Sequence, residues 1–414
     1  MQRATEGNAE GGGRKTEDDG VARLAMLVAC ASVLQVAESL FPHPLPGVRL
    51  GLANIITVIA LVYMGPGVAI QLAVLRTLVS SMVLGTFLTP TFVLSFSGGV
   101  VSAVVMALLY RLSLGGRPLF SLVGISVGGA ASHVMTQGAL VYLLFIRSSG
   151  VLWLWPWLCL AAVATGLLTG LIAVQAVRRL EAGQGVKESG IQGFQCPDTR
   201  LLESSNPGIH SFVRRLRPEL KIAGVVVLGL AVVFFSDWRL YAAVFGLLVI
   251  LSVLGRVRVS RLLAGLKWVW PLVLASLVMP VVFSPWGRAL LELGPLRVTS
   301  EGLHEGAVFA ARILLLVFAT AVLAQTTAPH ELATGLEKLL RPLRVFRVEP
   351  GQLARSLSLS WSHFPQLQQS VRRMVGTNRG RRGWLDRTIH LPGDIIADMF
   401  RLAGQGADSA QGRG

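Results

Sequence analysis

Long apolar runs, each close to the length of a bilayer crossing, follow one another along the chain with short polar connections. A crossing takes about 20 mostly apolar residues to cover about 30 Å of hydrocarbon. On that measure the first part of the chain predicts six helices, near 21–40, 48–64, 66–86, 90–112, 118–146 and 151–177. The second part predicts four, near 221–237, 240–255, 268–284 and 304–326. Between them Arg178, Arg179, Glu181, Lys187, Glu188, Asp198 and Arg200 sit among Gly, Ser and Pro, the pattern of a linker between two modules.

After the last run the pattern changes period. Leu332, Leu336, Leu339, Leu340 and Leu343 recur at steps of three and four, with Lys338, Arg341 and Arg344 off the stripe, which predicts an amphipathic helix. Pro350 opens a second, with Leu353, Leu357, Leu359, Trp361, Phe364 and Leu367 on its apolar faces. Two such helices in series exceed what anchoring at a membrane requires. Residues 391–414 carry Asp394, Asp398, Arg401 and Asp408 and are too polar to span. The fold class expected is therefore all-α and polytopic: a six-helix bundle, then a four-helix module ending in cytosolic amphipathic helices. Its boundaries are a tail at 1–20, a membrane domain at 21–180, a linker at 181–219, membrane helices at 220–326, coupling helices at 327–390 and a polar tail at 391–414.

Composition narrows the class further. With 52% hydrophobic and 14% charged residues and a mean hydropathy of +0.61, the chain is too apolar for an ordinary soluble protein. The net charge of +16 would suit nucleic acid if it formed a patch, but the basic residues sit in short clusters beside the apolar runs. That is the placement of helix-flanking charge on the cytosolic side, so no nucleic-acid partner is expected and the bilayer is the surrounding medium. With the N-terminus inside, Arg111 and Arg117, Arg178 and Arg179, Arg214 to Lys221, and Arg256 to Lys267 all face the cytosol. Cys30, Cys159 and Cys196 lie far apart and signal neither a disulfide framework nor a zinc site. Residues 1–20 lack the apolar core of a signal peptide and read as a disordered cytosolic tail.

Several side chains in the first module are costly in lipid. A charged group at the bilayer centre costs about 2.5–3.5 kcal/mol, so Glu38, Arg76 and His133, with Gln137, are expected to face the bundle interior. Two readings stay open. Glu38 and Arg76 form a structural pair beside a satisfied core histidine, or these groups line a polar pocket under the stiff, proline-rich loop from Phe41 to Arg49. In the first helix Ala25-x-x-x-Ala29 permits close helix approach. Gly124-x-x-x-Gly128 and Gly166-x-x-x-Gly170 read as packing contacts within the bundle.

Two resemblances to known families follow. Thr326, Thr327, Pro329, Glu331, Leu332, Leu336, Leu339, Leu340, Pro342 and Leu343 resemble the transmembrane (T) component of energy-coupling factor transporters, the CbiQ- and EcfT-like proteins, over roughly residues 220–414. PGVRLGLANI (Pro46 to Ile55) and SFSGGVVSAVVM (Ser95 to Met106) look like the Gx transporter family, also labelled heptaprenyl diphosphate synthase component I, over roughly 22–180. Members of that family resemble substrate-binding (S) components, six-helix bundles that capture a small molecule at the outer face. The resemblance implies an importer subunit that joins S and T functions and works with separate ECF-type ATPase subunits, which consume the ATP. By position Asn54, Ser97, Gly98 and Gly99 fall in the family's motif stretches, while Glu38, Arg49, Arg76 and His133 are candidates from burial cost. In S components an Ala-rich face of helix one meets the T component, which implies that role for Ala25 and Ala29. The run from Arg372 to Gly383 looks like the ATPase-coupling end of T components, with Arg379, Gly380 and Arg382 as its candidates. A basic cluster on anionic lipid headgroups is the other reading of that run. The family's second arginine motif is missing, unless Gly412-Arg413-Gly414 is its remnant.

No catalytic chemistry is legible. Gly11 to Thr16 lacks the Lys after the last Gly and the preceding strand of a phosphate loop, and no D-D-x-x-D cluster occurs for magnesium-diphosphate chemistry. The chain reads as a non-enzyme with no cofactor of its own, and a membrane accessory subunit of polyprenyl diphosphate synthesis is the alternative function. The topology is directly testable. In a background without native cysteines, Gly190→Cys and Gln405→Cys should resist a membrane-impermeant maleimide in intact cells, and labelling of either overturns the assignment of both to the cytosol.

Overall fold

The computed structural model describes residues 3–39, 51–84, 86–113, 119–145, 150–182, 216–260, 288–293 and 296–340, with separate positions within 270–281 and 351–369 and Ile396. The first part folds as α1 (Arg3–Ser39), α2 (Leu52–Tyr63), α3 (Pro66–Leu84), α4 (Pro90–Ser113), α5 (Leu122–Leu140) and α6 (Gly150–Glu181), with a π-helical turn, Val141–Phe145, extending α5. The second contains α7 (Pro218–Phe234), α8 (Trp238–Leu254), α9 (Ser300–Thr326) and α10 (Pro329–Leu340). Segments of α1, α3, α4, α6 and α9 are long and apolar enough to cross a membrane, and α2 and α8 are shorter apolar helices. The chain is an all-α polytopic membrane protein.

Helix ends follow local chemistry. Gly51 precedes α2 with φ of 78°, a left-handed conformation that favours glycine. Ser121 accepts a hydrogen bond from Gly124 N at the start of α5 (3.1 Å), and Thr299 does the same for Gly302 N at the start of α9 (3.1 Å). α1 begins at Arg3, so the stretch whose composition reads as a disordered tail is helical. Extending an existing helix adds one hydrogen bond per residue ordered, and the helix here continues through Gly7, Gly11, Gly12 and Gly13 in spite of their low propensity. One small non-helical feature escapes the apolar pattern: β1 (Ala289–Leu293) pairs antiparallel with β2 (Leu296–Thr299), immediately before α9.

Packing inside the first bundle is close. A Cβ at Gly166 would lie 2.8 Å from Val127 Cα, and one at Gly170 2.9 Å from Val123 Cα, so α6 meets the backbone of α5 directly. Ser126 and Thr169 hydroxyls share a hydrogen bond across the same seam (2.9 Å). Ser32 Oγ on α1 reaches the Arg76 carbonyl on α3 (3.2 Å). Helix association in lipid depends on such packing and hydrogen bonding, because lipid tails are as apolar as leucine. The outer faces carry exposed Val104 and Leu108 on α4 and Leu160 and Leu171 on α6, which suits contact with lipid.

The two parts share a core. Residues of α1, α2 and α3 form one apolar cluster with Ile222 of α7, Leu323 of α9, Leu332 of α10, and Leu357, Phe364, Leu367 and Ile396 beyond it. α1 is buried from Leu24 to Leu34. A helix of this kind, apolar on all sides, needs neighbours all round. Within the second part, α7, α8 and α9 close around Val232, Tyr241, Val244, Leu248, Val308 and Leu315.

The glycine seam yields the test. Gly170→Val forces a branched side chain against backbone atoms, an overpacking that costs about 1–3 kcal/mol, and should lower the melting temperature of the detergent-solubilised protein. Gly67→Ala, where nothing lies within 4 Å of the added Cβ, should not.

Candidate functional site

The first bundle closes around a polar cavity of about 60 Å³ to which all six helices contribute. Gln35 and Glu38 come from α1, Asn54 from α2, Arg76 from α3, Ser95 from α4, and His133 from α5, with Thr165 and Thr169 from α6. Glu38 and Arg76 are 3% and 5% exposed, so both charged groups point into the protein. The Glu38 carboxyl accepts a hydrogen bond from Gly51 N (2.6 Å), placing an acid at the N-terminal, positive end of α2. Arg76 Nη2 donates to Asn54 Oδ1 (2.6 Å), tying α3 to the first turn of α2. Gly98 faces His133: a Cβ there would lie 3.0 Å from Nδ1, so glycine makes room for the imidazole.

Of the residues singled out in the sequence, Glu38, Asn54, Arg76 and His133 thus meet in one place. Ser97 does not line the cavity; its hydroxyl donates to the carbonyls of Val93 (2.6 Å) and Leu94 (3.3 Å) on its own helix. Arg49 and the loop from Phe41 lie outside the described residues, as do Arg379, Gly380 and Arg382. Gln35, Ser95, Thr165 and Thr169 are not distinguishable by sequence, because neutral polar groups cost less to bury than charges and are frequent in membrane helices.

A second constellation forms where α9 ends. Thr327 is buried, Pro329 opens α10, and Glu331 Oε2 accepts from Ala328 N (3.0 Å), half of a capping box. Lys221 Nζ donates to the Thr326 carbonyl (3.2 Å), a cation at the negative end of α9. α10 then crosses the start of α7, and a Cβ at Gly335 would sit 3.0 Å from Ile222 and 3.1 Å from Pro218. Lys338 and Glu219 pair across this crossing at 3.2 Å. The Glu219 carboxyl, ahead of the predicted span, is held below the usual carboxylate range by its own backbone N–H at the helix start and then by Lys338.

Beyond α10 the chain returns to α1. Ser360 Oγ donates to the Ala25 carbonyl (2.8 Å) and to that of Ser356 (2.5 Å). Ala25 and Ala29 are 1% and 0% exposed. Ser356-x-x-x-Ser360 therefore presents small side chains opposite the small ones of α1.

Among the described residues, one buried charge lies outside both constellations. Arg312, inside the apolar run of α9, is 4% exposed. Its Nε donates to Tyr241 Oη (2.8 Å), its Nη2 to Ser236 Oγ (2.7 Å), and its guanidinium stands 5.2 Å over the Phe309 ring. Tyr241 Oη donates onward to the Val232 carbonyl (3.3 Å), so one arginine binds α9 to the α7–α8 connection.

Comparison with known proteins assigns each half separately. Residues 27–176 match the family described as heptaprenyl diphosphate synthase component I, and residues 210–402 the family described as cobalt transport protein. The energy-coupling factor transporter transmembrane protein EcfT of Listeria innocua is 32% identical over 217 residues, 50% of this chain and 82% of that protein. EcfT of Lacticaseibacillus paracasei is 31% identical over 185 residues, 44% of this chain and 69% of that protein. EcfT of Macrococcus caseolyticus is 26% identical over 173 residues, 42% of this chain and 65% of that protein.

The contact at Ala25 is open to measurement. Ala25→Leu should separate α1 from the Ser360 region, since a branched side chain does not fit where the Ser360 hydroxyl must come within 2.8 Å of the Ala25 carbonyl. Limited proteolysis should then cut faster within 351–369, whereas Ala25→Gly should leave the rate unchanged.

Proposed function

Because the chain belongs to the family of energy-coupling factor transporter transmembrane proteins, we propose that it combines substrate capture and energy coupling in one polypeptide of an ABC-type importer. The observation that carries this reading is the meeting of the two halves. A six-helix bundle with a polar cavity is packed, through α1, against the segment that follows the family's membrane helices. The bundle captures a small molecule from outside through Glu38, Asn54, Arg76 and His133, with Arg49 at the entrance. Separate ATPase subunits bind the cytosolic end of the second half, where Arg379, with Gly380 and Arg382, enters a groove on the ATPase. An arginine makes bidentate bonds to a carboxylate there, a rigid link that lysine does not provide. Nucleotide-driven closure of the ATPases moves the coupling helices and, through Ala25 and Ala29, tilts the bundle. The protein resides in the cell membrane with both termini in the cytosol and consumes no ATP itself. An accessory role in polyprenyl diphosphate synthesis would leave the packed cytosolic helices without a purpose.

The reading is tested by affinity purification of the tagged chain. Losing a charged hydrogen bond from such an interface costs about 2–5 kcal/mol, so Arg379→Ala combined with Arg382→Ala should lose co-purifying ATPase. Small molecules that co-purify with the parent, identified by mass spectrometry, should remain in that variant and disappear in Arg76→Ala. Retention of the ATPase overturns the coupling assignment; retention of the small molecule in Arg76→Ala overturns the capture site.

A further inference from the structure

The cavity offers hydrogen-bonding groups in unequal kinds. Thr77 Oγ1 donates to the Ala73 carbonyl (2.9 Å) and Thr165 Oγ1 to that of Ala161 (3.0 Å). A hydroxyl has one proton and two acceptor lone pairs. While the proton stays on the preceding turn, each hydroxyl offers its lone pairs to the cavity. The same holds in a smaller adjoining cavity, where Ser80 Oγ donates to the Thr77 carbonyl (3.2 Å) and Ser81 Oγ to that of Leu78 (2.8 Å). Gln35 lines both cavities, and its Oε1 is buried without a hydrogen-bond partner. A buried carbonyl oxygen left unsatisfied costs about 1–3 kcal/mol, and a ligand that donates to it removes that cost. The Glu38 carboxyl adds acceptor capacity from one turn further along α1. Beside the amide N–H groups of Gln35 and Asn54, the Arg76 guanidinium is the charged donor of the lining and can only donate.

Such a lining selects a ligand with both characters. We propose, resting on the capture reading above, that the bundle takes a small amphoteric molecule. Its ammonium or other N–H-rich group is held by Gln35 Oε1 and Glu38, and its carboxylate or comparable acceptor by Arg76. The scale follows from the cavity: at about 10–15 Å³ for each water-sized group, a volume of about 60 Å³ suits a molecule of amino-acid size.

Three probes with equal numbers of non-hydrogen atoms separate the possibilities: glycine, propionate, which replaces the ammonium by methyl, and butylammonium, which lacks the carboxylate. The readout is the melting temperature of the full chain in detergent, which a ligand raises by binding only the folded state. Glycine should raise it in a concentration-dependent way, several-fold more than either other probe. Gln35→Leu should remove most of that shift, and Gln35→Glu, with similar size and an acceptor retained, should keep it. Arg76→Met should abolish the shift; if that variant does not fold, Arg76→Lys serves, and should weaken it. A propionate shift equal to that of glycine, or a full glycine shift in Gln35→Leu, overturns the donor requirement, while sensitivity to Arg76 keeps the capture site. A glycine shift indifferent to both positions places binding elsewhere and overturns the capture site as well. No shift with any probe overturns the ligand class, and the capture reading is then decided by the co-purified small molecule alone.

Discussion

Polar groups that leave water for a bilayer must find partners within the protein, and both halves of this chain are arranged around an arginine that obeys this constraint. Arg76 reaches Asn54 across the start of α2, and Arg312 reaches Tyr241 and Ser236 across the α7–α8 connection. Facing lipid, either charge would cost about 2.5–3.5 kcal/mol. Each therefore fixes which face of its helix turns inward, and the neighbouring helices take their positions from it. In the first half the same inward turn creates a polar cavity. In the second, Arg312 ties three helices together with an aromatic ring beneath it.

α1 packs against both halves. It shares one apolar cluster with α2 and α3 and with Leu357, Phe364 and Leu367, while α9 also meets Leu94 of α4 and Val141. A rotation of the C-terminal segment against α1 cannot be absorbed by empty space, since close-packed interiors have little. It must move the bundle as a body or break the contact. Before that segment, α10 lies at Gly335 against Pro218 and Ile222 of α7.

How much of this was legible depended on the kind of signal. Apolar runs of crossing length gave the all-α polytopic class, and the Thr-Thr-x-Pro join with its leucine stripe gave the family. The burial cost of Glu38, Arg76 and His133 directed attention to residues that share one cavity. Weak signals failed. Gln35 and the threonines are neutral, so nothing in their sequence context distinguishes a cavity wall from a helix surface. Arg312 sits alone in a strongly apolar run, and its partners come from two other segments, Ser236 and Tyr241, which sequence spacing does not connect. The β1–β2 hairpin is too short for its alternation to stand out beside the following span. Ser97 lies in a motif stretch, yet its hydroxyl is spent on its own helix.

The bond from Ser360 to α1 ends on a main-chain carbonyl, not on a side chain. A peptide oxygen is present whatever residue occupies position 25, so mutation cannot delete the acceptor; it can only push the two helices apart. The join between the halves thus behaves as a thickness gauge: it accepts any residue thin enough and rejects bulk irrespective of chemistry. Glycine, alanine and serine at position 25 all satisfy that gauge, so the spacing of the two helices depends there on side-chain bulk and not on polarity.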